Sequence, residues 1–294
     1  MAGRTLKFVL LVLAVFLFPM AVSCGQGDGL VNLTKNPGMM SLWPSWSPDG
    51  SRIAYTSHGI YTMDADGANQ TKILDLSSWG IGLRSPSWSP DGNRIVYAAG
   101  GGSVFTVDTN GGNLTTVVSG TSTYWMSDWT SYSPGGSRIM FASHRGKGWQ
   151  IFVIDVDGSN ETCLTPPEVD SEGPAWSPDG TRIVFYSNRD GPTGIYVMNA
   201  DGSGPVRLED GGGGSHSPTW SPDGSRIAFI STRDGKTDIY IMDAEGGNVA
   251  RLTDNDLFEM APEWSPDGRK IVFAGQAEAG DPDIYTVDVP DDLR

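Results

Sequence analysis

The sequence predicts an all-β fold: a six-bladed β-propeller of four-stranded antiparallel blades, with the last blade closed by the N-terminal strand. Three observations predict it. The phrase Trp-Ser-Pro-Asp-Gly stands at Trp46–Gly50, Trp88–Gly92, Trp176–Gly180, Trp220–Gly224 and Trp264–Gly268, with a weakened third copy at Tyr132–Gly136. The first spacing is 42 residues and every later one is 44. A period of about 40–45 residues, carrying alternating apolar positions and turn signals, marks one propeller blade. Finally, the sixth unit stops after its third strand, while Leu30–Thr34 matches fourth-strand endings such as Arg251-Leu252-Thr253 and Cys163-Leu164-Thr165. The two ends are therefore expected to share one blade, which leaves no unpaired internal edge.

Taken in chain order, residues 1–24 read as a leader. Arg4 and Lys7 precede a nearly unbroken apolar run, Phe8–Val22, followed by Ser23-Cys24. This is the pattern of a secretory signal, too short for a stable membrane span. Ala21-Val22-Ser23-Cys24 resembles a bacterial lipobox, so Cys24 is the expected lipidation site; simple cleavage at the small residues is the alternative. Residues 25–30 form a short tether and 31–294 the propeller. The expectation is an exported protein, periplasmic or at the cell surface, held to the membrane by its lipid alone. Only Cys163 would remain after processing, which excludes an intrachain disulfide. Loss of the leader leaves 18 basic against 35 acidic residues. Phosphate backbones are bound by Lys and Arg patches, so nucleic acid is excluded as a partner.

The fourth unit shows how one blade is written. Pro174–Ser177 is a first strand, and Pro178-Asp179-Gly180 turns the chain, Pro presetting φ and Gly accepting a positive φ. Arg182–Tyr186 is the second strand, Ile195–Met198 the third, and Val206–Leu208 the fourth after the turn Asn199–Gly202; β-branched and aromatic residues dominate each. The other units repeat these pieces, and the repeat Trp is expected to fill the wedge between blades.

The unit Pro-x-Trp-Ser-Pro-Asp-Gly-x-Arg-Ile-Val-Phe, with Ile-Tyr-Val-Met and Asp-x-Asp-Gly behind it, resembles the repeat of TolB-like six-bladed β-propellers. The resemblance covers the chain after residue 30 and not the α/β domain that precedes the propeller in TolB. It implies a monomeric, non-catalytic module of the cell envelope that recognises a protein or peptide partner.

Function is expected where the copies differ. Pro-Asp-Gly and Asp-x-Asp-Gly turns share one face and are nearly identical, whereas the opposite face carries variable loops, the usual place for binding. Four residues before each repeat Trp or Tyr132 stand Leu42, Arg84, Asp128, Glu172, His216 and Met260. Of these, Arg84, Asp128, Glu172 and His216 lie on consecutive blades and are candidates for a polar site at the channel mouth; a solvated, self-neutralising ring is the alternative. Trp43, Trp79, Trp125 and Trp129 are unrepeated tryptophans on the blade-to-blade links, and such aromatics anchor interfaces and stack on sugars. A carbohydrate or small-ligand site, lyase-like in the manner of oligogalacturonate lyases, is a second reading; a structural spacer is a third.

Other motifs fail on spacing. Asp64–Gly67 and Asp155–Gly158 lack the remaining ligands of a calcium loop. The sequons at Asn69, Asn113 and Asn160 are spelled by the repeat. There is no Gly-x-Ser-x-Gly elbow, and His58, His144 and His216 sit on alternate blades, too spread for one ion. No catalytic residue, cofactor or metal site is assigned, although a divalent cation in the channel remains open.

Overall fold

The serine of each repeat phrase closes its own turn. Ser47 Oγ donates to Asp49 Oδ1 at 2.6 Å and accepts from Arg52 N at 2.9 Å, while Gly50 N returns to Ser47 O at 2.9 Å. Gly50 has φ 69°, the left-handed conformation that the turn demands. The same bonds recur at Ser89, Ser177, Ser221 and Ser265. In the third copy Gly135 replaces Asp, and Ser133 keeps the bond from Arg138 N at 3.1 Å.

These turns organise six sheets in the computed structural model, which describes residues 29–35, 38–75, 84–120, 124–145, 147–209 and 213–294. The leader, Cys24 and most of the tether lie outside the described residues. Strand β1 is Val31–Asn32. Blade one is β2 (Leu42–Trp46), β3 (Arg52–Thr56), β4 (Gly59–Asp64) and β5 (Thr71–Asp75); blade two is β6 (Arg84–Trp88), β7 (Arg94–Ala99), β8 (Ser103–Asp108) and β9 (Thr115–Val118). Blade three is β10 (Tyr124–Tyr132), β11 (Arg138–Arg145), β12 (Trp149–Asp155) and β13 (Thr162–Cys163). Blade four follows as β14 (Ser171–Trp176), β15 (Arg182–Ser187), β16 (Gly194–Asn199) and β17 (Val206–Arg207), and blade five as β18 (Ser215–Trp220), β19 (Arg226–Ser231), β20 (Asp238–Asp243) and β21 (Ala250–Arg251). Blade six is β22 (Phe258–Trp264), β23 (Lys270–Gln276) and β24 (Asp283–Asp288), and β1 joins it as the fourth strand.

The seam is specific. Val31 pairs with Thr286 and Asn32 with Tyr285, antiparallel. Asp283 then clasps β1 from the side, accepting from Asn32 Nδ2 at 2.9 Å and from Thr34 Oγ1 at 2.6 Å. Thr34 Oγ1 in turn accepts from Ile284 N at 3.0 Å, as Thr165 does from Ile151 N and Thr253 from Ile239 N.

Burial follows the strand period of two. Ile53 and Tyr55 pack with Val272 and Ala274 of blade six, whereas Ala54, between them, packs with Trp88 of blade two. Six such clusters, one at each blade interface, replace a single core. The repeat tryptophans are wedges within them, each 5–8% exposed. Preceding-blade arginines cover some of the rings: Arg138 lies 5.3 Å from the Trp176 ring centroid and Arg182 4.7 Å from that of Trp220. The sequon asparagines are turn residues: Asn69, Asn113 and Asn160 have φ near 50°, and their amides donate to Asp64, Asp108 and Asp155 at 2.6–2.7 Å.

Candidate functional site

Each inner strand breaks register at the same point. Leu42 pairs with Thr56 but Ser45 pairs with Ala54, so three steps on β2 oppose two on β3, and the other five inner strands slip likewise. This is a β-bulge. Its left-handed residue stands three places before the repeat aromatic: Trp43 (φ 54°), Ser85 (49°), Trp129 (49°), Gly173 (58°), Ser217 (52°) and Ala261 (49°). Five of the six are not glycine, each held at a cost of about 1 kcal/mol, and strain of this kind gathers where a site is built.

The bulges form a ring around the axis and open on a cavity of about 380 Å³. That is within the range of small-ligand pockets, about 300–1,000 Å³. The lining comes in layers that follow the strands. Trp43 and Trp129 stand in the bulge ring; below it come five prolines, Pro44, Pro86, Pro174, Pro218 and Pro262, with Thr130 in the sixth place. Next are Ser87, Ser131, Ala175, Thr219 and Glu263, and last the repeat aromatics Tyr132, Trp176, Trp220 and Trp264 with the turn prolines Pro134, Pro222 and Pro266. Glu263 is the one charged residue in this lining.

Above the cavity the aromatics form a connected roof. Trp129 of blade three meets Trp43 of blade one edge-on at 5.9 Å, Trp149 at 5.7 Å and Tyr186 of blade four at 5.8 Å. Tyr186 extends the row to His216 at 6.1 Å, and Trp149 extends it to His144 at 5.9 Å. Tyr186 fits because its blade has Gly173: a Cβ there would lie 2.6 Å from Tyr186 Cε1. The indole Nε1 of Trp129 is buried and has no hydrogen-bond partner among the described residues.

The polar candidates border this roof. Asp128 is buried, bonds the Ser85 hydroxyl and Trp129 N (2.9 Å), and pairs with Arg84 Nη1 at 3.1 Å. Burial raises its pKa, against the Ser85 and Arg84 contacts, which lower it. Glu172 accepts from the Tyr186 hydroxyl at 3.1 Å, and burial pushes its pKa up to about 7, with the charges of Asp170 and Asp128 adding to the shift. His216 has its pKa lowered by burial, and its Nδ1 lies 3.1 Å from Ser217 Oγ. Arg84, Asp128, Glu172 and His216 thus stand on consecutive blades, outside the cavity lining; Asp128, Glu172 and His216 each engage a roof or bulge residue, and Arg84 engages Asp128. Trp79 lies outside the described residues, and Trp125 falls in β10 with its side chain outside them. Leu42 and Met260 pack against the core between blades six and one.

Glu263 was not legible as a site from the position four before the Trp. It lies one place before Trp264, where the other copies have Ser45, Ser87, Ser131, Ala175 and Thr219; a lone carboxylate among small residues was the available signal. Its Oε1 accepts from Trp46 N at 3.0 Å and Ser45 Oγ at 3.3 Å. Oε2 has no partner among the described residues. The side chain retains some surface towards the cavity yet is enclosed by protein, and burial pushes its pKa up to about 7. Among the described residues, no group of three or more His, Cys, Asp or Glu side chains is placed to hold a metal ion.

The sequence matches a known family: the TolB β-propeller domain model covers residues 58–214 and 207–292. The chain belongs to the TolB β-propeller family. A putative TolB from Agrobacterium tumefaciens is 26% identical with a TM-score of 0.70, the match covering 89% of this chain and 97% of that one. TolB from Acinetobacter baumannii is 20% identical with a TM-score of 0.62, covering 90% of this chain and 65% of that one. An oligogalacturonate lyase from Vibrio parahaemolyticus, 16% identical with a TM-score of 0.62, covers 90% of this chain and 81% of that one, and shares the fold alone. No curated protein matches the chain. Among the described residues of this TolB-type propeller, no helix is long and apolar enough to cross a membrane.

Proposed function

We propose that this TolB-type propeller is a non-catalytic recognition module of the cell envelope, exported under the leader 1–24 and tethered by lipid at Cys24. A protein or peptide partner docks on the loop face over the channel mouth, with Trp43 and Trp129 as anchors and Arg84, Asp128, Glu172 and His216 orienting it. The supporting observation is the aromatic roof, built on strained bulges, with Met40 before β2 and Phe258 at the start of β22 also exposed. Aromatics held rigidly at the centre of a face, ringed by polar groups, are how interface hot spots are built.

The test is affinity capture from solubilised envelopes with the full chain and with a Trp43→Ala/Trp129→Ala variant. A partner retained by the former and lost by the latter, with both proteins folded, supports the reading; equal capture removes it. Turnover of oligogalacturonide or lactone by the purified chain would favour an enzyme instead, since propellers described as a lyase and a gluconolactonase share the fold.

A further inference from the structure

We propose that the axial cavity is a binding site for a primary alkylammonium group, its charge seated on Glu263 and its methylene stem running past the prolines towards the tryptophan roof. The inference does not depend on the docking partner, because it rests on the layered lining of the cavity itself.

Three features define the ligand chemistry. Among the described residues Glu263 supplies the only charge in the lining and has one oxygen, Oε2, without a partner, so the cavity selects a cation and repels carboxylates and phosphates. In the same strand layer Ser87 and Thr219 carry hydroxyl groups. An ammonium carries three donors and no acceptor, which carboxylate and hydroxyl oxygens can accept, whereas a quaternary ammonium has no N–H to give them. Above that layer the lining turns apolar, through the proline ring to Trp43 and Trp129. Two residues of strand separate the carboxylate layer from the bulge ring, about 6–7 Å, which is about the reach of a four-methylene stem. The indole faces at the mouth add attraction for any cation entering, and the acidic chain, net −15, raises its local concentration.

Burial already raises the Glu263 pKa, the expected state of an enclosed carboxylate lacking a cation, and a bound ammonium would draw it down again. The only other titratable group in the lining is Tyr132, whose hydroxyl is pushed up to about 12 by burial. Two sources present this chemistry, a free alkylamine or a lysine side chain on a peptide.

The test is calorimetric titration of the full chain in 0.15 M salt at pH 8 with n-pentylamine, Nα-acetyl-lysine methylamide, the neutral Nα-acetyl-norleucine methylamide and pentyltrimethylammonium. Saturable binding of a primary amine is expected, at least tenfold tighter than that of the neutral and quaternary probes. Glu263→Gln should weaken it at least tenfold, Ala175→Met should block it sterically with the charge intact, and exposed Glu278→Gln should leave it unchanged. Pentylamine binding as well as the lysine derivative points to a free amine; binding of the lysine derivative alone points to a peptide. Equal binding of the norleucine probe, an unaffected Glu263→Gln, or no binding of either amine overturns the proposal. The Trp43→Ala/Trp129→Ala capture experiment fails or succeeds separately from all of these.

Discussion

The repeat turns and the enclosed sites of the propeller keep their carboxylates in opposite states. On the turn face, Asp49 and Asp179 are held down to about 2, and Asp91, Asp223 and Asp267 are lowered too; in every case the largest cause is the hydroxyl of the serine two places before. Around the cavity and the loop face, Glu172, Glu259 and Glu263 are each pushed up to about 7 and Asp128 is raised, with burial the first cause. The turn aspartates are held ionised by local hydrogen bonds. The enclosed carboxylates carry a desolvation cost that no repeat-wide contact removes, so a ligand or partner gains by relieving it.

The largest effect should come from a residue both faces depend on. Trp264→Ala removes an interblade wedge and is expected to cost about 3–5 kcal/mol in denaturant unfolding. Trp129→Ala, above the cavity, should cost less than half of that while abolishing partner capture. If the two lose stability equally, the roof is core and the distinction between the faces fails.

Next in size is pH. A group whose folded pKa is raised keeps its proton in the fold up to about 7 but loses it in the unfolded chain near 4.3. Between those values the fold binds more protons, so stability falls as pH rises through the window. Glu263→Gln should therefore add about 1–3 kcal/mol at pH 8 and almost nothing at pH 4, measured by urea unfolding at both. A carboxylate that behaved like those of the turns would give the reverse.

A smaller change is expected at Asp179→Ala, which loses the bonds from Ser177 Oγ and Thr181 N. Because the Asp179 pKa is depressed, its contribution is present above about 3.8 and disappears as pH falls through about 2. The variant should melt lower than the parent at pH 7 and converge with it in strong acid. The smallest is Ala261→Gly, where relief of a left-handed φ of 49° opposes the entropy glycine adds to the unfolded chain. A stabilisation of about 0.5 kcal/mol or less is expected, and a clear loss would show that the bulge is not strained there.

Sequence made the ring readable because its signals are local: Trp-Ser-Pro-Asp-Gly writes a strand end and a turn within five residues, and Leu30–Thr34 spells a missing fourth strand that the structure pairs at Val31–Asn32. The beginnings of the inner strands were not readable. Pro174 looks like a strand start, yet β14 begins at Ser171, because a bulge absorbs the left-handed residue before the proline. The roof was half legible. Trp43 and Trp129 stand out as unrepeated aromatics, but Tyr186 passes for an ordinary second-strand residue until it is compared with Thr56, Ala98, Ala142, Ile230 and Ala274 at the same place. Its partner signal is Gly173, the only glycine in the bulge ring. Glu263 hid for the opposite reason, sitting one place before a repeat Trp whose sameness points to packing.

The seam at β1 gives the ring a preferred direction of failure under load. A pull on the chain ahead of Val31 acts on two residue pairs and the Asp283 clasp, while every other blade hands its tension to a complete hairpin. The propeller would thus part like a zip at one tooth, releasing β1 while the other five blades stay shut, and a molecule stretched by its N-terminus would lengthen by that strand first.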